Sequence, residues 1–199
     1  MATFNQRNIT EFRSRLSGGG ARANLFEVEI AFPEELVIDL NLVTDKVPFL
    51  VKAAEIPASN LGNIPVPYRG RVLPVAGART FNPWTVTIIN DTDFQIRDAM
   101  EKWSNSINDL QTAQGSVDPA AYQTRAFVKQ LGRSGAGPDS KEPVLRTYLF
   151  EGIYPNVVSS IPLDFGATDQ IQEFQTTFNY LFYEVLGVAS VSSELTEAG

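Results

Sequence analysis

The amino-acid pattern predicts a mainly β, α+β fold: two packed antiparallel β-sheets, a sandwich or barrel, with one flanking α-helix. Three observations carry this expectation. Apolar and polar residues alternate over several stretches, most cleanly in Asn24 to Phe32, Trp84 to Ile89 and Gln172 to Val185. Only one long stretch, after Asn90-Asp91-Thr92, repeats its apolar residues at helical spacing. Strands and helices do not alternate as βαβ units would require, and no internal repeat is visible.

In chain order, residues 1–22 read as a basic arm. Ile9, Phe12 and Leu16 form one face of a short helix that Asn8 could cap and Gly18-Gly19-Gly20 ends. Two turns are not stable alone, so the arm either orders against a partner surface or is a frayed terminus. Phe26, Val28 and Ile30 then face one way and Leu25, Glu27 and Glu29 the other, a half-buried strand closed by Pro33. Residues 34–45 leave a hairpin arm and a loop with a strand segment both open, and residues 47–54 read as a strand closed by Pro57. Residues 64–81 form a hairpin about Arg69-Gly70, a tight-turn signal. Pro65, Pro67 and Pro74 keep it out of a sheet interior, so it is expected to project. Trp84, Val86 and Ile88 point a strand into the core.

The helix follows, with Thr92 and Gln95 at capping-box spacing and Ile96, Ala99, Met100, Trp103, Ile107 and Leu110 as its apolar stripe. Residues 115–119 connect it to a strand at 122–131, and residues 132–140 form a glycine-rich loop without the lysine and following helix of a phosphate cradle. A strand at 144–153 ends in a turn at Tyr154-Pro155-Asn156. Gln172 to Val185 reads as one strand of about 45 Å at about 3.3 Å per residue, aromatic on one face and uncharged-polar on the other. The expected organisation is an arm (1–22), a β-sandwich domain (23–187) and a flexible, acidic C-terminal tail (188–199).

Composition narrows the chemistry. The 199 residues contain no cysteine and no histidine, which removes disulfides, thiolate metal sites, imidazole bases and serine–histidine triads together. Glu27/Glu29 share a strand face rather than opposing each other across a cleft, Glu34/Glu35 are adjacent, and Asp91/Asp93 lack further acidic ligands at loop spacing. Asp91 and Asp93 are expected to cap the helix. No catalytic, cofactor-binding or metal site is therefore expected, and the chain is not expected to be an enzyme. The net charge is −7, and residues 1–22 hold four arginines against one glutamate, a net of +3 that leaves −10 for the remainder. Such a chain does not grip nucleic acid by neutralising phosphates. The first twenty residues have no apolar h-region and no apolar run reaches the length of a membrane span, so neither secretion by a signal peptide nor membrane insertion is expected. Arg69, Arg71 and Arg79 cluster on the projecting hairpin, where ion pairing to a neighbour's acids is the functional reading and a solvated loop the other.

Several blocks carry a family resemblance. They are Asn24 to Ile30; Lys52-Ala53-Ala54 with Ile56-Pro57-Ala58; Ile64-Pro65-Val66; Val75 to Phe81 with Trp84 to Thr87; Asn90-Asp91; Gly152 to Val157; and Glu173 to Thr177. In this order they resemble the tail tube proteins of contractile-tailed bacteriophages, especially the T-even type, from about Asn24 to Glu184, with the block from Val75 to Asp91 the most specific. The ends and residues 34–45 depart from the pattern.

The resemblance implies a structural virion protein, assembled in the host cytoplasm, whose hexameric rings stack into an inner tail tube. Sheath, baseplate and tail terminator proteins would be its partners, with DNA passing through the lumen without specific binding. Each subunit would lend about four strands, so about 24 strands at roughly 4.8 Å spacing and a tilt near 45° enclose a backbone diameter of roughly 50 Å. Side chains would leave about 40 Å, wide enough for a duplex about 20 Å across, and an acidic or neutral lining would repel phosphate. Glu27, Glu29, Glu173, Gln175 and Thr177 are the lumen-facing candidates, and Tyr68, Arg69, Arg71 and Arg79 the inter-subunit arm. A tube of a type VI secretion or other contractile injection system obeys the same physics. A monomeric β-barrel binding a small ligand is the alternative of a different class, opposed by the crowding of Phe and Tyr in the expected core.

Overall fold

The computed structural model describes residues 9–16, 20–34, 36, 40–133 and 144–186. The tail at 188–199, Asn8 and most of the loop at 132–140 lie outside them. The elements are α1 (Ile9–Arg15), β1 (Phe26–Ile30), α2 (Leu40–Leu50), β2 (Val51–Ala54), β3 (Asn60–Tyr68), β4 (Arg71–Thr80), β5 (Trp84–Ile89), α3 (Gln95–Ile107), α4 (Pro119–Tyr122), β6 (Thr124–Leu131), β7 (Val144–Val158), β8 (Glu173–Asn179) and β9 (Phe182–Leu186).

β7 organises the body. Its first half pairs antiparallel with β6 on one side and β9 on the other, while its second half pairs with β8. The strand order β1-β6-β7-β8-β5-β2, with β9 beside β7, is thus two antiparallel sheets sharing one long strand. Their apolar faces meet: the ring of Trp84 from β5 stacks on Phe150 of β7 at 4.5 Å and lies 5.6 Å from Phe178 of β8. α3 closes the core with Ile96, Ala99, Met100 and Trp103, all buried. Trp103 packs edge-on against Phe32 and near Phe178, and its Nε1 donates to the Tyr122 carbonyl at 2.8 Å. Trp84 Nε1 donates likewise to the Glu55 carbonyl at 2.9 Å, so neither indole leaves a buried donor unpaired. The outer strands β1 and β2 are not paired with each other, so the expected sandwich or barrel is realised as an open structure.

Several sequence expectations fail for identifiable reasons. Residues 40–50, which span the end of the stretch left open between a hairpin arm and a loop with a strand segment and the start of the strand read at 47–54, are the helix α2. Val43 and Val47 are buried one helical turn apart, but Pro48 near the helix end and the β-branched valines masked the period. Only Val51–Ala54 remains of the strand expected at 47–54. The turn expected at Tyr154-Pro155-Asn156 is continuous β7; the direction changes earlier, at Gly152, whose φ is +65°. The single strand at 172–185 is two, β8 and β9, separated by a corner at Tyr180-Leu181 that lets each pair with a different half of β7. Finally, α3 has no capping box: its N-cap is Phe94, at φ +55° and without a side-chain hydrogen bond, and Leu110 lies off the stripe, almost fully exposed. Asp91 and Asp93 instead both pair with Lys46 of α2, at 2.7 and 3.3 Å.

Candidate assembly surfaces

The chemistry of this chain lies in its surfaces. Among the described residues no group of three or more Asp or Glu side chains is placed to hold a metal ion. Trp84, Phe150, Phe174 and Phe178 fill the interior where a ligand of a β-barrel would sit.

Among the described residues the most exposed element is the hairpin of β3 and β4, which there pair only with each other. Tyr68 lies opposite Arg71, so the loop is the two residues Arg69 and Gly70, with φ of +46° and +79°. Positive φ at both positions makes a type I′ turn, whose twist matches the flanking strands. Nearer its base the register slips between Leu61 and Asn63. There the Gly62 and Gly77 backbones come so close that a Cβ on Gly77 would lie 3.2 Å from the Gly62 carbonyl. Two glycines therefore permit the bulge that re-aims the arm. Phe81 anchors its foot on Tyr180 and Tyr183, at ring distances of 5.6 and 6.0 Å.

Beyond the foot, Leu61, Ile64, Val66, Tyr68, Val72, Leu73 and Val75 are each between 41% and 66% exposed. A contiguous exposed apolar arm of this kind marks an interaction surface. Of the arm candidates, Tyr68 stacks under the Arg69 guanidinium at 5.4 Å, and Arg79 donates to Ser59 Oγ at 2.5 Å. Neither Arg69 nor Arg71 forms an ion pair among the described residues.

α1 presents a second such surface, since Ile9, Phe12 and Leu16 are all exposed. Leu163, Phe165 and Ile171, on the connection from β7 to β8, are exposed as well.

The lumen candidates fall into two groups on different flanks. Glu27 and Glu29 lie on the outer face of β1, beside Arg125 and Lys129 of β6. Lys129 Nζ pairs with Glu29, and Arg125 with Glu151 of β7 at 2.9 Å. Glu173, Gln175 and Thr177 lie on the outer face of β8, opposite Ile89, Thr87 and Thr85 of β5. Here the Thr85 and Thr177 hydroxyls share a hydrogen bond at 3.1 Å, and Glu173 accepts from Lys52 of β2 at 2.6 Å. This flank is a ladder of hydroxyls and an amide, with its one acid locally neutralised. The lysine partners and the threonines of β5 were missed by sequence reasoning, because cross-strand neighbours depend on register, which alternation alone does not fix.

A family model described as phage tail tube protein matches residues 21–186. The tail tube protein gp19 of Enterobacteria phage T4 is 32% identical over 172 residues, covering 84% of this chain and 93% of that protein. The tail tube protein of Serratia phage KSP90 is 30% identical over 174 residues, covering 86% of this chain and 93% of its own length. Among solved structures, a chain from the anti-feeding prophage cap, a tube terminating cap, superposes with a TM-score of 0.57 at 15% identity over 84% of this chain and 91% of that one. At that identity the likeness concerns the fold.

Proposed function

Since the chain belongs to the phage tail tube protein family, we propose that it is the structural subunit of a virion's inner tail tube, with no enzymatic activity, assembling as hexameric rings that stack into a conduit for DNA. The observation that carries the assembly is the hairpin of β3 and β4: an arm with exposed apolar side chains along both strands and, among the described residues, no strand of the body paired with it. The outer edges of the body, unpaired among the described residues, add to this, since open edges favour association and ring closure removes them. Tyr68, Arg69, Arg71 and Arg79 are the arm's contact residues, and the arginines seek acids on the neighbour.

One lumen takes one of the two candidate flanks. The face of Glu173, Gln175 and Thr177 suits it better, because Thr85 and Thr87 complete a surface mainly of hydroxyls and an amide whose lysine, Lys52, is held by Glu173, whereas the other flank carries both Arg125 and Lys129. Sheath, baseplate and terminator proteins are the proposed outer partners. The phage reading stands ahead of a secretion-system tube because the relatives at 30% identity or more are phage tail tube proteins.

Charge reversal of Arg69 and Arg71 together tests the arm. The variant is expected to keep the wild-type circular dichroism spectrum and to lose rings and tubes in negative-stain micrographs. A folded variant that assembles like the wild type would remove the arm from the interface.

A further inference from the structure

The hairpin's prolines single out one of its two edges. Pro65 lies directly opposite Pro74. Neither residue has an N–H, so that pair can stand only at a position where the two strands exchange no hydrogen bonds. The turn gives the same phase independently. A two-residue loop is closed by a hydrogen-bonded pair, here Tyr68 and Arg71, and the pairs alternate from there. Pro67 opposite Val72, Pro65 opposite Pro74, and Asn63 opposite Ala76 are therefore the positions whose backbone groups point away from the partner strand, to the hairpin's two free edges.

The edges are unequal. Along β3 the outward positions are 63, 65 and 67, and two of the three are proline, leaving Asn63 alone to donate. Along β4 they are 72, 74 and 76, and only Pro74 lacks a donor. Both edges keep their carbonyls. An incoming strand thus finds a row of acceptors on β3, and on β4 a ladder of both kinds interrupted once. Proline on an exposed edge is a recognised means of blocking strand addition.

We propose that β4 is the joining edge of the arm, adding a strand by backbone hydrogen bonds from Val72 and Ala76 to a second copy of this chain, while β3 is closed to such pairing. This rests on the tube reading and specifies how the arm engages. The arm gives β4 to an open body edge of the neighbour rather than to a second β4, which makes the contact head-to-tail, the kind that closes into rings.

Proline substitution distinguishes the edges, because at an outward position it removes a donor without touching the hairpin's own ladder. With the full chain, wild type and Val72→Thr, which keeps the donor, are expected to pellet as rings or tubes. Val72→Pro is expected to remain soluble with an unchanged circular dichroism spectrum, and Asn63→Pro to assemble as wild type. Site-resolved amide exchange on the wild-type assembly supplies a readout free of any variant's folding: Val72 and Ala76 gain protection on assembly and Asn63 does not. Assembly by Val72→Pro, or protection gained at Asn63 with Val72 and Ala76 exchanging as in the monomer, would overturn the assignment of the edge while leaving the tube reading standing. Failure of the wild type itself to assemble would instead remove the tube reading on which the edge depends.

Discussion

Gly152 is the pivot of β7, and replacing it with alanine tests whether the sharing of that strand between two sheets depends on a left-handed residue. Its φ is +65°, and a Cβ there would lie 2.6 Å from Leu181 Cδ1 and 3.3 Å from Gln123 Oε1. The left-handed backbone costs a residue with a Cβ about 1–2 kcal/mol. Crowding against Leu181 adds about 1–3 kcal/mol, toward the low end because that side chain is more than half exposed and can swing outward. Reduced freedom of the unfolded chain returns about 0.4–1 kcal/mol. Gly152→Ala is therefore expected to lose about 2 kcal/mol, a fall in Tm of roughly 4–8 °C for a chain of this size. The assay is urea unfolding followed by tryptophan fluorescence, at a protein concentration low enough to keep the chain monomeric, since assembly raises apparent stability. Leu181→Ala in the same chain should recover the crowding but not the backbone strain. A single variant within about 0.5 kcal/mol of wild type, inside the usual range of surface substitutions, would refute the account of the corner.

Other consequences follow from single residues. Trp84→Ala should cost about 3–5 kcal/mol in the same assay, since the indole is buried between Phe150 and Phe178 and its loss also leaves the Glu55 carbonyl without that donor. Thr176 is wholly buried on β8, and its Oγ1 has no hydrogen-bond partner among the described residues, so Thr176→Val should be neutral or stabilising by up to about 1 kcal/mol. The Lys46 amine is held above its ordinary value of 10.5, chiefly by its hydrogen bond to Asp91. That contribution is complete below 10.5 and is lost as pH climbs through the higher folded value, so wild type should lose stability between those values and Lys46→Gln should show a smaller alkaline loss in pH-dependent melts.

The parts of the fold legible in the sequence are those where a local pattern coincides with burial. Trp84, Val86 and Ile88 alternate because one face of β5 is core, and Arg69-Gly70 marks a turn that needs two positive φ angles. The parts that were not legible depend on contacts distant in the chain. Gln172 to Val185 loses its alternation at Tyr180-Leu181-Phe182-Tyr183, but four apolar residues in a row do not show that β8 and β9 pair with different halves of β7. Asp91 and Asp93 look like caps until α2 brings Lys46 to them, and α2 was itself hidden by Pro48. That the hairpin stands apart from the body sheet was readable from its prolines. The inequality of its edges needed the register, because only the pairing of Pro65 with Pro74 fixes which amides face outward.

Electron microscopy of the purified full chain, imaged across a concentration series, tests the tube reading most directly. It predicts rings of six subunits that stack end to end, with a lumen wide enough for a DNA duplex. A protein that stays monomeric at the highest concentration, or that closes into dimers and grows no further, would contradict it.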